Sequence, residues 1–238
     1  MNICLIGYGR MGREIEAAAV SCGHRIVMAI DKDNLTDLGR IDPGEIDVAI
    51  EFTTPETAFN NIARCLRKKV PVVCGTTGWL KDYQKASDIC IENGTSFIHS
   101  SNFSIGVNIL FRLNSILAEH MSKYKEYIPF IEEIHHTRKL DSPSGTAITL
   151  AGGISEKHHG YDGWRFDHET AEKKIPVRSV REGAVPGIHT ITWDSEVDAI
   201  TLRHESKSRK GLAMGALIAA EFIQQRKGVF TMSDVLGF

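Results

Sequence analysis

The sequence has no excess of charge of either sign and no long apolar segment. Its 238 residues include 28 Lys and Arg and 30 Asp and Glu, which give a formal net charge of −2. This balance argues against a nucleic-acid partner. No apolar run approaches the ~18 residues that span a membrane, so we expect no membrane partner. The apolar N-terminus has neither the basic segment nor the cleavage site of a signal peptide, which predicts a cytoplasmic protein.

Cysteine is also scarce, and its spacing excludes the usual metal and redox motifs. The sequence contains five cysteines, all in its first half. Neither C-x-x-C nor a Cys/His spacing suited to zinc occurs. We therefore expect reduced, buried thiols and no metal site. The residues are Cys4, Cys22, Cys65, Cys74 and Cys90.

Short apolar runs alternate with helical patterns in the first half of the chain. Hydrophobic residues make up 42% of the sequence and charged residues 24%, as in an average soluble globular protein. The alternation predicts an α/β Rossmann-type domain with a doubly wound sheet. Strands are predicted at 2–6, 25–30, 47–52, 70–74 and 96–99, and helices at 10–22, 55–68 and 104–121.

The second half has a different pattern, which predicts an α+β domain with an antiparallel or mixed sheet. Three of its strands follow one another without intervening helices. Strands are predicted at 127–134, 175–181, 188–193 and 199–204, and helices at 145–157 and 211–226. The polar segment 158–174 is interpreted as a loop between helix and sheet.

A glycine-rich motif directly follows the first predicted strand and begins the first predicted helix. Its residues are Gly7, Tyr8, Gly9, Arg10, Met11 and Gly12. Glycines at this spacing allow a tight turn, let a pyrophosphate approach the backbone and let helix and strand pack closely. Asp31 ends the second predicted strand, where a carboxylate can bind ribose hydroxyls. The sequence predicts a dinucleotide site, the alternative being an unliganded glycine-rich turn with a solvated Asp31.

The cofactor preference depends on two neighbouring side chains of opposite charge. Asp31 should repel a 2′-phosphate, whereas Lys32 could attract one. We expect NADH to be preferred, with some use of NADPH. Two further turns at the carboxyl ends of predicted strands either line the cofactor or are ordinary turns. They consist of Gly75, Thr76 and Thr77, and of Ser100, Ser101, Asn102 and Phe103.

The densest polar cluster, residues 133–147, runs from the end of a strand to the start of a helix. Small residues there leave backbone N–H groups available to a carboxylate at the positive end of the helix dipole. Lys139 adds a cation, and His135 or His136 can donate a proton near neutral pH. Ser142 is interpreted as a possible N-cap. The small residues are Ser144, Gly145 and Thr146.

Over nearly its whole length the chain resembles the 4-hydroxy-tetrahydrodipicolinate reductases (dihydrodipicolinate reductases) of the diaminopimelate route to lysine. The most specific element is E-x-H-H-x-x-K-x-D-x-P-S-G-T-A at 133–147. It is accompanied by G-x-G-R-M-G at 7–12, G-T-T-G at 75–78 and S-N-F-S-x-G-V at 101–107. Further matching positions are Ser179, Arg181, Gly183, Gly187, His189, His204, Ser208 and Arg209.

The resemblance implies NAD(P)H-dependent reduction of the cyclic dicarboxylate formed from pyruvate and aspartate semialdehyde, giving tetrahydrodipicolinate. It implies that His135 is the proton donor and Lys139 the second catalytic cation. His136, Gly145 and Thr146 are implied to hold the substrate carboxylates. The residues implied to line the cofactor are the glycine motif 7–12, Asp31, Lys32, 75–77 and 100–103.

The resemblance also implies the domain organisation. Residues 1–104 and 210–238 would form the dinucleotide-binding domain, and 105–209 the substrate-binding and oligomerisation domain. Family members assemble as homotetramers through the sheet of the second domain, so the same assembly is implied here.

Two other functions would explain part of this set of sequence motifs. Another two-domain nicotinamide enzyme, such as an amino-acid or sugar dehydrogenase, would need the glycine motif but not the dicarboxylate site beside two histidines. A non-enzymatic NAD-binding redox sensor would need a module for DNA or a partner, and no basic helix or tail provides one. Turnover with a small dicarboxylate distinguishes an enzyme from a sensor.

Overall fold

The computed structural model describes all residues from Met1 to Phe238 and divides into two compact units. Unit 1 consists of Met1–Ile105 together with Arg209–Phe238. Unit 2 consists of Gly106–Ser208. No helix is long and apolar enough to cross a bilayer.

Eleven strands and seven α-helices make up the two units. The strands are β1 (Asn2–Ile6), β2 (Arg25–Ile30), β3 (Val48–Glu51), β4 (Val72–Cys74), β5 (Ser96–His99), β6 (Ile128–His135), β7 (Trp164–Phe166), β8 (Ile175–Arg181), β9 (Gly187–Asp194), β10 (Ala199–Ser206) and β11 (Gly228–Phe230). The helices are α1 (Arg10–Ser21), α2 (Pro55–Arg67), α3 (Tyr83–Glu92), α4 (Ile105–Met121), α5 (Gly145–Lys157), α6 (Lys210–Ile223) and α7 (Met232–Leu236). Short 3-10 helices lie at Lys32–Arg40 and Leu80–Asp82.

Unit 1 contains a six-stranded parallel sheet in the order β11-β5-β4-β3-β1-β2. Alternate strand residues bury on opposite faces, as the pleat requires. Cys4 and Ile6 of β1 contribute to a core with α2 and α3. Ile3 and Leu5 contribute to a second core with α1 and α6. Helices therefore cover both faces, and the predicted doubly wound α/β fold is confirmed.

Three elements of unit 1 have no counterpart among the predicted ones, namely α3, β11 and α7. Helix α3 buries only Ala86, Ser87 and Cys90, so its apolar periodicity is weak. Strand β11 is three residues long and exists because β5 offers it a parallel partner. Such short elements are determined by contacts that are distant in sequence.

Glycine allows close approaches of the backbone to neighbouring atoms in unit 1. A Cβ at Gly215 of α6 would lie 1.7 Å from the carbonyl oxygen of Phe103. A Cβ at Gly7, whose φ is +95°, would lie 2.0 Å from the carbonyl oxygen of Phe52, and one at Gly75 would lie 2.1 Å from the Phe52 ring. These contacts fix the positions of the loops at the carboxyl edge of the sheet.

Unit 2 contains a five-stranded sheet in the order β10-β9-β6-β8-β7. β6 pairs antiparallel with β9 but parallel with β8, so the predicted mixed sheet is confirmed. One face packs on α4 and α5 through Ile131, Val177, Ile191 and Trp193. On the opposite face Phe130 is half-buried, and the guanidinium of Arg178 lies 5.4 Å from the centre of its ring.

The prediction that 158–174 is a loop is wrong at its centre. Trp164–Phe166 forms β7, which pairs in parallel with β8 along Ile175–Val177. A three-residue strand carries no periodicity of its own. It is stabilised by the partner strand and by the edge-to-face contact between Trp164 and Phe166, whose ring centroids are 5.4 Å apart.

The contact of Gly215 with Phe103 predicts a strong dependence of stability on this glycine. Gly215→Ala should lower the free energy of unfolding by about 1–3 kcal/mol, because the added methyl group overlaps backbone that cannot move independently. Urea denaturation measures this. Gly211→Ala, on the same helix, is the control, since its nearest neighbour would be Ser104 Oγ at 3.9 Å. Equal stability of the two variants would contradict the prediction.

Candidate active site

The glycine motif of unit 1 forms a tight loop between β1 and α1. The amide of Gly7 donates to the carbonyl of Ile30 at 2.8 Å, and a Cβ at Gly12 would lie 2.4 Å from the Gly7 carbonyl oxygen. Gly9 is the N-cap of α1, and no side chain caps this helix. A Cβ at Gly9 would meet no atom within 4 Å. The first turn of α1 contains no acidic residue. This uncapped helix N-terminus fits the phosphates of a dinucleotide.

The other residues of the motif fix its surroundings. The hydroxyl of Tyr8 donates to Glu16, and the guanidinium of Arg13 lies 5.7 Å from the centre of the Tyr8 ring. Arg10 is exposed, whereas Met11 packs against the core shared by α1 and α6.

Asp31 follows β2 and its carboxylate is held in place by the backbone after it. Its Oδ1 accepts from the amide of Lys32 at 2.9 Å, and its own amide donates to Asn34 Oδ1 at 2.7 Å. The amide group of Asn34 in turn donates to the carbonyl of Ala29 at 3.0 Å. Asp31 and Lys32 are both exposed, so both charges are available to a ligand.

The turns after β4 and β5 contain both buried and exposed members. Thr76 is 6% exposed; its hydroxyl accepts from the amide of Thr53 at 2.7 Å, and its carbonyl accepts from Trp79 Nε1 at 2.8 Å. Thr77 and Ser101 are exposed. The Phe103 side chain lies in the core, so only its backbone can face a ligand.

A buried carboxylate that sequence analysis did not identify lies beneath these turns. Glu51 ends β3, is completely buried and accepts from the Thr53 hydroxyl and from Cys74 Sγ, the latter at 3.1 Å. Burial and the charge of Glu51 raise the pKa of the Cys74 thiol. Cys74 is therefore an inert hydrogen-bond donor, and with the exception of the exposed Cys22 the cysteines are buried as expected.

In unit 2 the site is organised by Glu133 of β6, which is completely buried. Its Oε1 accepts from the amide of Ser144 at 3.0 Å, from Ser179 Oγ at 2.9 Å and from Arg181 Nη2 at 3.2 Å. Burial alone would raise the pKa of Glu133, but the hydrogen bonds from Ser144 and Ser179 and the charge of His135 outweigh it and lower the pKa. The carboxylate is therefore ionised.

His135 ends the same strand and faces the same side of the sheet as Glu133. Its Nδ1 lies 3.4 Å from Glu133 Oε2, and a Cβ at Gly187 would lie 3.1 Å from its Nε2. Burial lowers the pKa of His135 to about 4, with Lys139 and Arg181 acting in the same direction and Glu133 opposing them. Without a ligand, His135 is neutral at neutral pH.

His189 of β9 lies directly opposite Glu133 in the strand register. Its Nε2 is 3.8 Å from Glu133 Oε2 and 3.3 Å from Ser144 Oγ. Burial, followed by the charge of His135, lowers the pKa of His189 to about 3. It is a second neutral imidazole beside the carboxylate.

The N-terminus of α5 begins next to this cluster. Ser144, not Ser142, is the N-cap, because Ser144 Oγ accepts from the amide of Ala147 at 3.2 Å. Gly145 and Thr146 form the first turn, which contains no acidic residue. A Cβ at Gly145 would meet no atom within 4 Å, so the approach to the helix end is open.

Lys139 lies in the loop between β6 and α5 and is paired with a carboxylate of its own loop. Its Nζ is 2.8 Å from Asp141 Oδ1, and its amide donates to the carbonyl of His136 at 3.0 Å. Arg181 Nη2 donates to the carbonyl of Asp141 at 2.6 Å. The structure thus brings the sequence-predicted His135, His136 and Lys139 to one end of unit 2 with α5.

Three of these side chains also have the composition of a metal site. Ligand atoms of Glu133, His135 and His189 lie within 4.8 Å of one another. The guanidinium of Arg181 binds the same carboxylate at 3.2 Å and would repel a divalent cation. The arrangement fits a hydrogen-bonded cluster better than a metal centre.

Sequence analysis assigned no role to Glu133, Ser179, Arg181 or His189. They lie on three strands that are separated in sequence and become neighbours only in the β8-β6-β9 part of the sheet. One local signal is present, because Ile131, Glu133 and His135 alternate along β6 and so share its buried face.

Comparison with known proteins finds matches over nearly the whole chain. The family model for the N-terminus of dihydrodipicolinate reductase matches residues 1–103, and that for its C-terminus matches residues 106–236. A 4-hydroxy-tetrahydrodipicolinate reductase from Christiangramia forsetii is 50% identical over 236 residues, covering 99% of this chain and 98% of that protein. One from Thermosipho africanus is 31% identical over 238 residues, with coverage of 99% and 98%.

A solved structure shows the same fold. The dipicolinate-bound dihydrodipicolinate reductase from Paenisporosarcina sp. TG-14 matches with a TM-score of 0.80 and 26% identity, covering 97% of each chain. Sequence and structure agree over both units, and the chain belongs to the dihydrodipicolinate reductase family of NAD(P)H-dependent oxidoreductases.

Proposed function

We propose that unit 1 binds the nicotinamide cofactor while unit 2 binds the substrate and supplies the proton. The reaction is the NAD(P)H-dependent reduction of the cyclic dicarboxylate formed from pyruvate and aspartate semialdehyde to tetrahydrodipicolinate, in the diaminopimelate route to lysine. The observation that carries the proposal is that His135, Lys139 and the start of α5 lie around the buried Glu133 at one end of unit 2.

The substrate carboxylates are held by positive charge and by backbone amides. The N-terminus of α5, at Gly145 and Thr146, attracts one carboxylate through the helix dipole. Lys139 and His136 bind the other, and the substrate takes the place that Asp141 has on Lys139. Two charge-assisted contacts favour a dicarboxylate over a monocarboxylate. The Paenisporosarcina enzyme is described with dipicolinate, a planar dicarboxylate, which supports a two-carboxylate site here.

Substrate binding also prepares the proton donor. The reduced nicotinamide supplies the hydride, so the protein contributes orientation and electrostatics. His135 has a pKa of about 4 in the unliganded chain because it is buried beside Lys139 and Arg181. Substrate carboxylates add negative charge near Lys139, which favours the imidazolium and raises the pKa of His135. Substrate binding thereby favours protonation of His135, the acid that later gives this proton to the substrate.

His135→Gln should lower kcat by roughly 10²- to 10⁴-fold, since glutamine cannot deliver the proton. The dissociation constant for NADH should change little, because the glycine loop and Asp31 belong to unit 1. Steady-state assays with the fresh condensation product of pyruvate and aspartate semialdehyde, and fluorescence titration with NADH, measure both. His120→Gln, on exposed surface, is the control. An unchanged kcat in His135→Gln would refute the assignment of the acid.

On the cofactor side, NADH is preferred and NADPH is also used. The exposed carboxylate of Asp31 is fixed at the end of β2, where it accepts ribose hydroxyls and repels a 2′-phosphate. The adjacent Lys32 reduces that repulsion.

Asp31→Asn should raise kcat/KM with NADPH relative to NADH by roughly tenfold, because one repulsive charge near the 2′-phosphate is removed. The ratio of the two kcat/KM values measures this. Glu45→Gln removes an exposed charge elsewhere in unit 1 and should leave the ratio unchanged. A wild-type preference for NADPH that Asp31→Asn does not alter would exclude this role.

The chain further forms a homotetramer and works in the cytoplasm. The support for assembly is the face of the unit 2 sheet that does not pack on α4 and α5, where half-buried Phe130, Ile134, Val180 and Ile188 lie on adjacent strands. Apolar side chains on such a face are suited to burial against another copy. The free cysteines are consistent with a reducing compartment.

Phe130→Glu should shift the sedimentation coefficient from that of a tetramer to that of a smaller species, since it replaces a large apolar side chain on this face with a charged one. Sedimentation velocity at micromolar concentration is the measurement. Val20→Glu, at a residue of α1 that is 63% exposed, provides a matched apolar-to-acidic control. A monomeric wild type, or a tetramer unaffected by Phe130→Glu, would count against this interface.

A further inference from the structure

We propose that Glu133 is a positioning residue for proton transfer, whose carboxylate orients the imidazole of His135 and joins it to the N-terminus of α5. The inference rests on the proposed role of His135 as the acid. It assigns distinct tasks to the two oxygens of one buried carboxylate.

The first oxygen, Oε1, has a structural task. It accepts from the amide of Ser144, from Ser179 and from Arg181, at 2.9 to 3.2 Å. These donors come from the start of α5 and from β8, so Oε1 connects β6 to two other elements. An uncharged amide oxygen at this point could accept the same bonds.

The second oxygen, Oε2, has no hydrogen-bond partner and is buried. It faces the Nδ1 of His135 at 3.4 Å and the Nε2 of His189 at 3.8 Å. The Nδ1 of His135 is likewise buried without a partner. A small tightening on substrate binding turns this pair into a charge-assisted hydrogen bond, as is common for catalytic contacts.

This geometry determines which nitrogen of His135 carries its proton. A carboxylate accepts only, so neutral His135 places its hydrogen on Nδ1, towards Glu133. Nε2 then remains for the proton that is transferred to the substrate. An Nε2–H tautomer would instead turn the lone pair of Nδ1 towards the carboxylate and leave two buried acceptors facing each other.

Glu133 also sets the charge balance around His135. The other groups that face this imidazole are Lys139 and Asp141 of the following loop, Arg181 of β8 and His189 of β9, with His204 of β10 beyond His189. Lys139 and Arg181 disfavour the imidazolium, whereas Glu133 and Asp141 favour it. Asp141 is half-exposed and bound to Lys139, so Glu133 is the buried anion that permits His135 to become protonated.

Glu133→Gln tests this role while retaining the size and the acceptor oxygen of the side chain. We expect kcat to fall roughly 10- to 100-fold, because an amide neither stabilises the imidazolium nor selects the Nδ1–H form. Activity falls as pH rises through the pKa of the acid, and this descending limb should move to lower pH by roughly one unit. Glu133→Asp keeps the charge and should return the limb towards the wild-type position.

The control is Glu156→Gln near the C-terminal end of α5, where Glu156 is exposed and its Oε1 lies 3.0 Å from Lys157 Nζ. Neither its kcat nor its pH profile should change. If Glu133→Gln loses activity with an unmoved descending limb, Glu133 has only a structural role and the proposal is overturned.

A measurement on the wild-type protein tests the positioning role of Glu133 even if Glu133→Gln does not fold. Nitrogen-15 NMR of the histidine side chains, with His135 assigned by its absence in His135→Gln, reports the tautomer at pH 7 without turnover. An Nδ1–H tautomer supports the proposal, and an Nε2–H tautomer overturns it. Because this readout is independent of catalysis, it separates failure of the Glu133 role from failure of the proposed acid.

Discussion

The unit 2 site depends on keeping one carboxylate ionised where water is excluded. Glu133 is completely buried, and a buried anion costs several kcal/mol unless it is paired and hydrogen-bonded. Donors from Ser144, Ser179 and Arg181 provide that compensation. Since these residues come from different elements, the requirement fixes the relative positions of β6, β8 and the start of α5. The need to hydrogen-bond a single buried charge thus determines where α5 begins relative to β6.

How well each element can be predicted depends on how far apart in sequence its stabilising contacts lie. β1, β2, α1 and α2 carry strong apolar patterns and glycine or proline signals at their ends, and their predicted bounds agree with the structure to within one or two residues. β7 and β11 have three residues each and are strands only because β8 and β5 lie beside them. Pairing of that kind has no trace in a local window of sequence.

The residues of the unit 2 site also differ in how far apart in sequence they lie. His135, His136, Lys139 and the start of α5 are close in sequence, so a dense polar segment was enough to predict them. Glu133 was visible in the same segment, but a lone glutamate before two histidines is indistinguishable from a solvated one. Its importance comes from burial and from partners on β8 and β9, which are non-local properties. Family resemblance supplied roles that spacing alone left open.

The division of unit 1 into two chain segments has a consequence for synthesis on the ribosome. Residues 1–105 contain five strands of its sheet, but α6 and β11 follow only after the whole of unit 2. Until then the apolar face that receives Ala216, Leu217 and Ala220 is bare, and the edge of β5 has no partner. Unit 2 is contiguous and can fold first. Until the C-terminal segment arrives, the nascent protein therefore exposes an apolar face and an unpaired strand edge, which are two features that promote aggregation.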